Sequence, residues 1–260
     1  GIVLNGKTVR LEPLNVEKHS EDLFESNSLG IEGLNWSYLP YGPFKTLETF
    51  QKWLTDEATN DDPSFFSIVR LSDNKAVGVA SFLRINPNDG SIEVGHINYS
   101  PLLQKTREGT ETMYLMMKWA FDSGYRRYEW KCNALNANSR YAAQRLGLSY
   151  EGVFRQMTIN KGRNRNTAWF ASIDKEWNAL KACYETYLAD DNFNADGKPI
   201  STGAQDTYLG NAQPDALFGW SNTISLNDFT LSFLIDARIG GQVYSQTSAE
   251  MDAYGVSERS

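Results

Sequence analysis

A phosphate-binding helix end is the first chemical feature that the sequence suggests, at residues 104–111, which read QKTREGTE. This segment follows a predicted strand and opens a predicted helix, whose first turn presents unpaired N–H groups at the positive end of the helix dipole. Such an end can hold a pyrophosphate group without a metal ion. Gly109 allows close approach of the backbone, and Lys105 and Arg107 add positive charge. The P-loop and dinucleotide-binding glycine patterns are both absent, and an ordinary capped helix is the alternative.

Histidine and cysteine are scarce, which limits other kinds of chemistry. The chain has only His19 and His96 and only Cys132 and Cys183, so we expect no disulfide framework and no metal site. His96 lies on a predicted strand and is a candidate base, because histidine titrates near neutral pH. The alternative is a strand histidine that lines a cleft without a catalytic role. We expect His19 to be a packed helix residue and Cys132 a small core residue.

An aromatic loop is predicted at residues 36–44, which read WSYLPYGPF. Its two prolines and one glycine break regular structure, and its aromatic side chains suit the wall of a pocket. The alternative is a set of surface aromatics that cap a core.

The elements that must position these residues follow from hydrophobic periodicity and turn residues. Strands are predicted at 7–14, 65–71, 76–85, 91–99, 127–133, 150–160 and 167–173, and helices at 16–27, 46–59, 104–122, 139–146 and 174–189. This order predicts a mixed α/β or α+β domain.

The charge is distributed unevenly along the 260 residues, whose formal net charge is −7. Residues 191–260 carry three basic and nine acidic side chains, so residues 1–190 are nearly neutral. The acidic balance argues against nucleic-acid binding, which needs a basic surface. We find no signal segment and no apolar run of the roughly 20 residues that cross a membrane, so we expect residues 1–189 to be cytoplasmic and not membrane-bound.

Residues 1–189 resemble the GNAT superfamily of acetyl-CoA-dependent N-acetyltransferases, in the RimJ/RimL-like branch of ribosomal-protein acetyltransferases. The resemblance is carried by short motifs at 9–14, 36–44, 93–95, 104–111, 125–131, 136–139, 145–147, 151–155 and 161–169. It implies a mixed central sheet flanked by helices. It also implies acetyl transfer to a primary amine, which is either a protein or peptide N-terminus or a small molecule.

The resemblance implies acetyl-CoA as the cofactor. The implied binding residues are Gln104, Lys105, Thr106, Arg107, Gly109, Thr110 and Asn136. Family members carry the pattern Gln/Arg-x-x-Gly-x-Gly/Ala before the central helix, and Arg107 replaces its first glycine. For Asn136 the alternative is a turn residue.

The resemblance also implies a catalytic arrangement at two splayed central strands. Backbone N–H groups of the strand at 92–99 would stabilise the oxyanion, with Glu93 as general base through water. For Glu93 the alternative is a hydrogen-bonded strand carboxylate. Many members use a tyrosine as general acid at the position of Ala143, and in the RimL-like branch Ser139 is the expected proton donor. Ser139 is alternatively the N-cap of a helix at 140–146.

The same resemblance places the acceptor beside the aromatic loop and a hairpin at 155–166. The implied substrate-binding residues are Trp36, Tyr38, Tyr41 and His96. A homodimer is a further expectation.

The last part of the chain, residues 190–260, is predicted to be a separate appendage. Residues 192–197 approach a calcium-loop spacing, but position 203 lacks the closing glutamate, so a linker or turn is favoured. Apolar and polar residues alternate at 217–226 and 229–236, which suits an outer-membrane barrel or a soluble hairpin. This segment resembles a C-terminal fragment of SusC/RagA-type TonB-dependent outer-membrane receptors at 196–198, 208–215, 219–223, 228–236 and 240–244.

Receptor function does not follow from that second resemblance, because such a barrel needs about 22 strands. We therefore expect an acetyltransferase domain at 1–189 joined to a receptor-like fragment at 190–260, with a junction near 189–191. The alternative functions are a transport module carried by the tail and a GNAT-like domain that binds acyl-CoA without turnover. Arg107 and Ala143 motivate the second of these alternatives.

Overall fold

One mixed sheet organises the first part of the chain in a computed structural model of the protein. The structure describes residues 1–31, 33–57, 60–194 and 197–200, together with the backbone of residues 216–226 and 229–239. The chain divides into two compact units, Gly1–Pro199 and Ile200–Arg259. Residues 190–199 therefore belong to the first unit, although the sequence placed the junction before them.

The strands of the first unit are β1 (Leu4–Asn5), β2 (Val9–Pro13), β3 (Ser64–Arg70), β4 (Lys75–Asn86), β5 (Ser91–Tyr99), β6 (Arg127–Asn133), β7 (Ser149–Asn160) and β8 (Arg163–Ile173). They form one sheet in the order β1-β2-β3-β4-β5-β6-β8-β7. Strands β5 and β6 are parallel, and the other neighbours are antiparallel. The helices are α1 (Val16–Ser28), α2 (Leu47–Glu57), α3 (Arg107–Asp122), α4 (Ala137–Arg145) and α5 (Asp174–Tyr187), with 3₁₀ turns at Leu34–Trp36 and Asp190–Asn192.

The predicted mixed sheet with flanking helices is confirmed, and the short strand β1 is the element that the sequence pattern missed. The predicted end of α2 at residue 59 lies outside the described residues. The predicted N-cap of α4 is wrong. Asn136 caps this helix, because its Oδ1 accepts a hydrogen bond from the N–H of Ser139 at 3.1 Å. Helix α4 therefore begins before Ser139 rather than after it.

The two faces of the sheet carry separate hydrophobic clusters. Helix α3 packs on one face, where Met116 and Met117 are fully buried against Ile92 and Phe82. Helices α1 and α2 pack on the other face through an aromatic cluster that includes Phe50. Alternate residues of a strand point to opposite faces, so each central strand serves both clusters.

Strands β5 and β6 part halfway along their length. Residues 91–94 pair with residues 127–130, and the paired residues end at Val94 and Trp130 although both strands continue. Gly95 of β5 pairs with Ser81 of β4, and the next paired residues are Asn98 and Val79. Two residues of β5 therefore lie opposite one residue of β4. Such a bulge bends a strand and redirects its side chains. The open end of this strand pair lies in the middle of the sheet.

The second unit contains one antiparallel hairpin. Strands β9 (Ala216–Leu226) and β10 (Phe229–Ile239) pair in register, beginning with Phe229 opposite Leu226. The calcium-like segment considered at 192–203 falls partly outside the described residues. Among the helices that the structure describes, none has the length and apolar character needed to span a bilayer.

Candidate active site

The open end of the β5–β6 pair is a cleft whose β5 edge has no β6 partner beyond Val94. Backbone N–H and C=O groups along such an edge are free to bond a ligand that lies between the strands. The expected splay of the two central strands is therefore present.

His96 lies in the bulge, directly beyond the last residues that pair across the cleft. Its φ of 50° is in the left-handed region, which is uncommon for a residue with a side chain. The Nδ1 atom lies 2.9 Å from Tyr41 Oη, and the two rings are parallel at 5.7 Å. The ring of Phe65 lies 5.1 Å away on another side. His96 and Tyr41, which were both expected to bind the substrate, are thus in contact, and their role in binding it stays a prediction.

The imidazole of His96 is neutral near pH 7. Burial lowers its pKa to about 4, and the charges of Arg84 and Arg165 act in the same direction. Burial also raises the pKa of Tyr41 well above its ordinary value, so the phenol keeps its proton. The pair is therefore an uncharged wall of the cleft.

Glu93 lies on β5 just before the strands part, and its side chain is buried. Its Oε2 accepts from Arg84 Nη1 at 2.6 Å and from Lys131 Nζ at 2.7 Å. Its Oε1 faces Gly95, since a Cβ added at that glycine would lie 3.6 Å from it. One oxygen is thus anchored by two cations, and the other is left for a water molecule. The general-base role of Glu93 stays a prediction.

The ion pairs of Glu93 belong to a network that sequence analysis missed. Lys131 also contacts Glu129 Oε2 at 2.8 Å and lies 3.8 Å above the ring centroid of Trp169. Glu129 in turn binds Arg127, which forms a two-point pair with Glu151. The network runs across β4 to β7, so register rather than sequence spacing creates it.

Ser139 lies beside the β6 edge of the cleft, in the first turn of α4. Its Oγ accepts the indole N–H of Trp130 at 3.0 Å, which orients the hydroxyl group. Ala143, at the position of the family tyrosine, is fully buried in the core. Cys132 is buried as predicted, and burial raises the pKa of its thiol, so it is not an activated nucleophile.

The first turn of α3 is capped by Thr106, whose Oγ1 accepts from the N–H of Gly109 at 3.1 Å. Gly109 is needed for packing, and its contact with a phosphate stays a prediction. A Cβ there would lie 2.7 Å from the carbonyl oxygen of Leu103 and 3.1 Å from the ring of Tyr99. Lys105 is exposed in the loop, with a φ of 58°.

Two predicted cofactor residues, one exposed and one buried, support this loop by hydrogen bonds. Gln104 Nε2 donates to the carbonyl oxygen of Tyr99 at 2.7 Å and to Asn35 Oδ1 at 3.0 Å. Thr110 is buried, and its Oγ1 accepts from Arg145 at 3.4 Å. Their contacts hold the loop in shape, and direct cofactor contact stays a prediction for both.

Arg107 is directed away from the loop, toward the chain that follows α5. Its guanidinium donates to the carbonyl oxygen of Leu188 at 2.6 Å and pairs with Asp190. It also lies 4.5 Å above the ring centroid of Phe193. Arg107, which replaces the family glycine, therefore anchors residues 188–193. These contacts favour a structural role, and its role as a phosphate ligand stays a prediction.

The aromatic loop contacts the hairpin of β7 and β8, as the sequence led us to expect. Lys161 Nζ donates to the carbonyl oxygens of Trp36 and Gly42, at 2.8 Å each. Tyr38 Oη donates to the carbonyl oxygen of Leu135 at 3.1 Å, next to α4. The ring of Trp36 is buried among other aromatics, as in the core-capping alternative, and its role in binding the acceptor stays a prediction.

A cavity of about 280 Å³ opens beside His96. Its walls are apolar and aromatic apart from the imidazole, and it is lined by Pro40, Tyr41, Trp53, Pro63, Phe65 and His96.

Comparison with known proteins decides the family. The family model described as the acetyltransferase (GNAT) domain matches residues 8–149. The chain belongs to the GNAT acetyltransferase family. No curated protein matches this acetyltransferase.

Solved structures agree with that assignment. A GCN5-related N-acetyltransferase from Brucella melitensis is 42% identical and superposes with a TM-score of 0.74. The match covers 77% of this chain and 91% of the Brucella chain. A probable acetyltransferase of the GNAT family from Chromobacterium violaceum is 38% identical, and the match covers 68% of this chain and 88% of the Chromobacterium chain, with a TM-score of 0.64.

The expected RimJ/RimL-like branch is supported only by distant likeness. RimL, a ribosomal L7/L12 alpha-N-protein acetyltransferase solved with coenzyme A, is 18% identical to this acetyltransferase, covers 66% of it and 98% of its own chain, with a TM-score of 0.51. An identity of 18% shows the shared fold alone and carries no information about the substrate. The comparisons give no support to the receptor-like interpretation of residues 191–260, which stays a prediction.

GNAT acetyltransferases use acetyl-CoA, and the residues present in this structure fit it. The first turn of α3 presents N–H groups that suit phosphates, with Lys105 exposed beside it. The free edge of β5 beyond Val94 can bond the amide groups of the pantetheine arm. These two features lie on consecutive elements of the chain, joined by the loop that Gln104 braces.

Proposed function

We propose that this enzyme is an N-acetyltransferase that transfers the acetyl group of acetyl-CoA directly to a primary amine. The observation that carries the proposal is the cleft between β5 and β6, where a bulged strand with a free edge faces Ser139 across the sheet. This arrangement suits one-step transfer between two bound molecules and needs no covalent enzyme intermediate.

Acetyl-CoA supplies an acetyl thioester when it is bound. The amine nitrogen attacks the thioester carbonyl, so that a C–N bond forms, the C–S bond breaks, the amine loses a proton and the thiolate gains one. Backbone N–H groups of β5 beyond Val94 stabilise the negative charge that develops on the carbonyl oxygen. Ser139 donates a proton to the leaving sulfur, and Glu93 Oε1 accepts the amine proton through water.

Both acceptor classes implied by the sequence, a protein or peptide N-terminus and a small amine, are compatible with this chemistry. The use of an intracellular metabolite supports a cytoplasmic site of action, and homodimerisation stays a prediction. Trp36, Tyr38, Tyr41 and His96 remain the proposed acceptor-side residues, with Tyr41 and His96 nearest to the cleft.

Thermal shift with acetyl-CoA, followed by thiol release across an amine panel, tests the function. We expect a raised melting temperature with acetyl-CoA and thiol release with at least one amine. A shift without release on any amine would favour acyl-CoA binding without turnover, the case that Ala143 motivates. No shift at saturating acetyl-CoA would rule out both activities.

A further inference from the structure

An unpaired guanidinium lies on the acceptor side of the cleft. Arg165 on β8 is half-buried, and its Nε is buried without a hydrogen-bond partner. Within the described part of the chain, Arg165 forms no ion pair with a carboxylate. Buried charged groups normally have such partners, because desolvation of an isolated charge is costly. The guanidinium is therefore suited to receive an anion from a ligand.

The position of Arg165 follows from strand register. Asn133, the last residue of β6, pairs with Thr167 on β8, so Arg165 continues past the end of β6 at the open end of the cleft. Arg165 lies on the same face of β8 as Trp169, because alternate residues of a strand point the same way. The ring of Trp169 contacts Lys131, which pairs with Glu93. Arg84 is also paired with Glu93, whereas Arg165 has no such pair within the described residues.

A second unpartnered polar group lies nearby on β5. Asn98 is buried two positions beyond His96, and neither its Oδ1 nor its Nδ2 has a partner. A buried amide with both atoms unbonded is unusual in a protein interior. The cleft therefore offers a cation and an amide to an incoming polar molecule.

The cavity beside His96 supplies the apolar part of the site. Tyr41, Trp53 and Phe65 form its aromatic walls, and its volume of about 280 Å³ accommodates a large aliphatic or aromatic side chain. The cavity opens at His96 in the bulged part of β5, and Arg165 lies past the end of β6, at the open end of the same strand pair.

The surrounding segments favour a slender acceptor over a folded protein terminus. Lys161 joins the hairpin to the aromatic loop, Asn160 Nδ2 donates to the carbonyl oxygen of Tyr38 at 3.3 Å, and Tyr38 joins the loop to Leu135. Three chain segments are thus bonded to one another around the acceptor side.

We propose that the acceptor is a free amino acid with a large apolar side chain, which occupies the cavity of Tyr41, Trp53 and Phe65 while the carboxylate pairs with Arg165. This inference rests on the proposed acetyl transfer to an amine. The products are an N-acetyl amino acid and coenzyme A: the amine nitrogen gains the acetyl carbon, the C–S bond breaks, and one amine proton ends on the sulfur.

Matched acceptor pairs test the carboxylate contact. Phenylalanine and leucine are each compared with their carboxamides, with glycine as the acceptor that lacks a side chain, and kcat and KM are measured by thiol release. We expect kcat/KM to favour each acid over its amide, and phenylalanine and leucine over glycine. The amide has the less basic amine, so a larger fraction of it is unprotonated and reactive at neutral pH, and a preference for the acid must come from binding.

Variants locate the contact. Arg165→Gln is expected to raise KM for phenylalanine by about 10- to 100-fold, the loss typical of a charged hydrogen-bond partner, with KM for the amide unchanged. Arg165→Lys should recover part of the loss. Arg163→Gln is the matched control, because Arg163 is exposed on the same strand. A melting curve for each variant checks that it is folded.

Calorimetric titration of phenylalanine and phenylalaninamide into the enzyme with coenzyme A gives a readout apart from turnover. Tighter binding of the acid, lost in Arg165→Gln, supports the contact between the carboxylate and Arg165. Equal or tighter use of the amides, or of peptides with an apolar N-terminal residue, would overturn it. Failure of the proposed function shows instead as no response to acetyl-CoA in the thermal-shift assay.

Discussion

Trp130 donates its indole N–H to the hydroxyl oxygen of Ser139 across 3.0 Å. Trp130 is the last residue of β6 that pairs with β5, so the bond holds the serine beside the point where the strands part. The side chain of Cys132, on the same strand, is a second hydrogen-bond partner of Ser139. We expect the hydroxyl group, held in this position, to donate its proton to the leaving thiolate.

Replacing Ser139 with alanine is therefore expected to lower kcat by about 10²- to 10⁴-fold, the usual contribution of general acid–base catalysis. The KM for acetyl-CoA should change little, because the hydroxyl acts on the leaving group. Steady-state kinetics with the best acceptor measures both. Trp130→Phe, which removes the donor to Ser139 together with part of a buried ring, should give a smaller loss in kcat, and a melting curve checks that it is folded. Ser149→Ala is the control, since Ser149 is exposed at the start of β7. Full activity of Ser139→Ala would remove this residue from catalysis.

Replacing Arg107 with glutamine is expected to lower the free energy of unfolding by about 1–3 kcal/mol. The change removes a charged hydrogen bond to the carbonyl of Leu188 and the contact with the ring of Phe193. Urea unfolding gives the difference. Lys105→Gln, in the same loop but exposed, should leave the unfolding midpoint in place. A midpoint for Arg107→Gln equal to that of the unaltered protein would contradict the anchoring role.

Residues 190–199 are expected to stabilise the acetyltransferase domain. Asp190 pairs with Arg107 and with Lys7 at 3.2 Å, and Phe193 packs on Tyr187 with ring centroids 5.3 Å apart. A chain that ends at residue 199 should therefore have the same melting temperature as the acetyltransferase domain in the full chain. A chain that ends at residue 189 should have a lower melting temperature.

Limited proteolysis supplies the complementary measurement on the full chain. We expect a stable product whose end lies beyond residue 193, since Phe193 is held by its contacts with Arg107 and Tyr187. Resistance of the full-length protein to protease would count against a separate appendage.

Acid is expected to destabilise the fold through Glu12. Burial alone would raise the pKa of Glu12, but hydrogen bonds from Lys18, His19 and Arg10 lower it to about 2 from 4.5. A carboxyl whose pKa is depressed in the folded state contributes stability above its unfolded pKa and loses it as the pH falls through the folded value. The free energy of unfolding should therefore decline between pH 4.5 and about 2.

Glu12→Gln tests this assignment, because the amide cannot titrate. Urea unfolding at a series of pH values should show a flatter decline for the variant over the same interval. Identical slopes in the two proteins would assign acid sensitivity to other carboxyl groups.

The order of elements was predictable from the sequence because apolar residues in each segment repeat with the period of a helix or a strand. The start of α3 was predicted to within three residues, at 104 instead of 107, although Thr106 was not singled out as its cap. The start of α4 was misplaced because Asn136 and Ser139 are both good capping residues three positions apart. Sequence alone does not say which of two such caps is used.

Contacts between distant residues were not predictable. Arg107 and Leu188 are 81 positions apart, and no local pattern links them. The ion pair of Glu93 with Lys131 depends on the register of β5 against β6, which the sequence does not specify. The bulge at His96 had one weak signal, the preceding Gly95, since glycine inside a strand often marks a bulge.

Lys161 holds two carbonyl groups of the aromatic loop with one ammonium group. Because both bonds share that donor, removal of one ammonium group would break both at once and would leave the hydrogen bond from Asn160 to Tyr38 between the hairpin and the loop. A single side chain of the hairpin thus couples the order of the aromatic loop to the order of the hairpin, on the side of the domain where we propose that the acceptor binds.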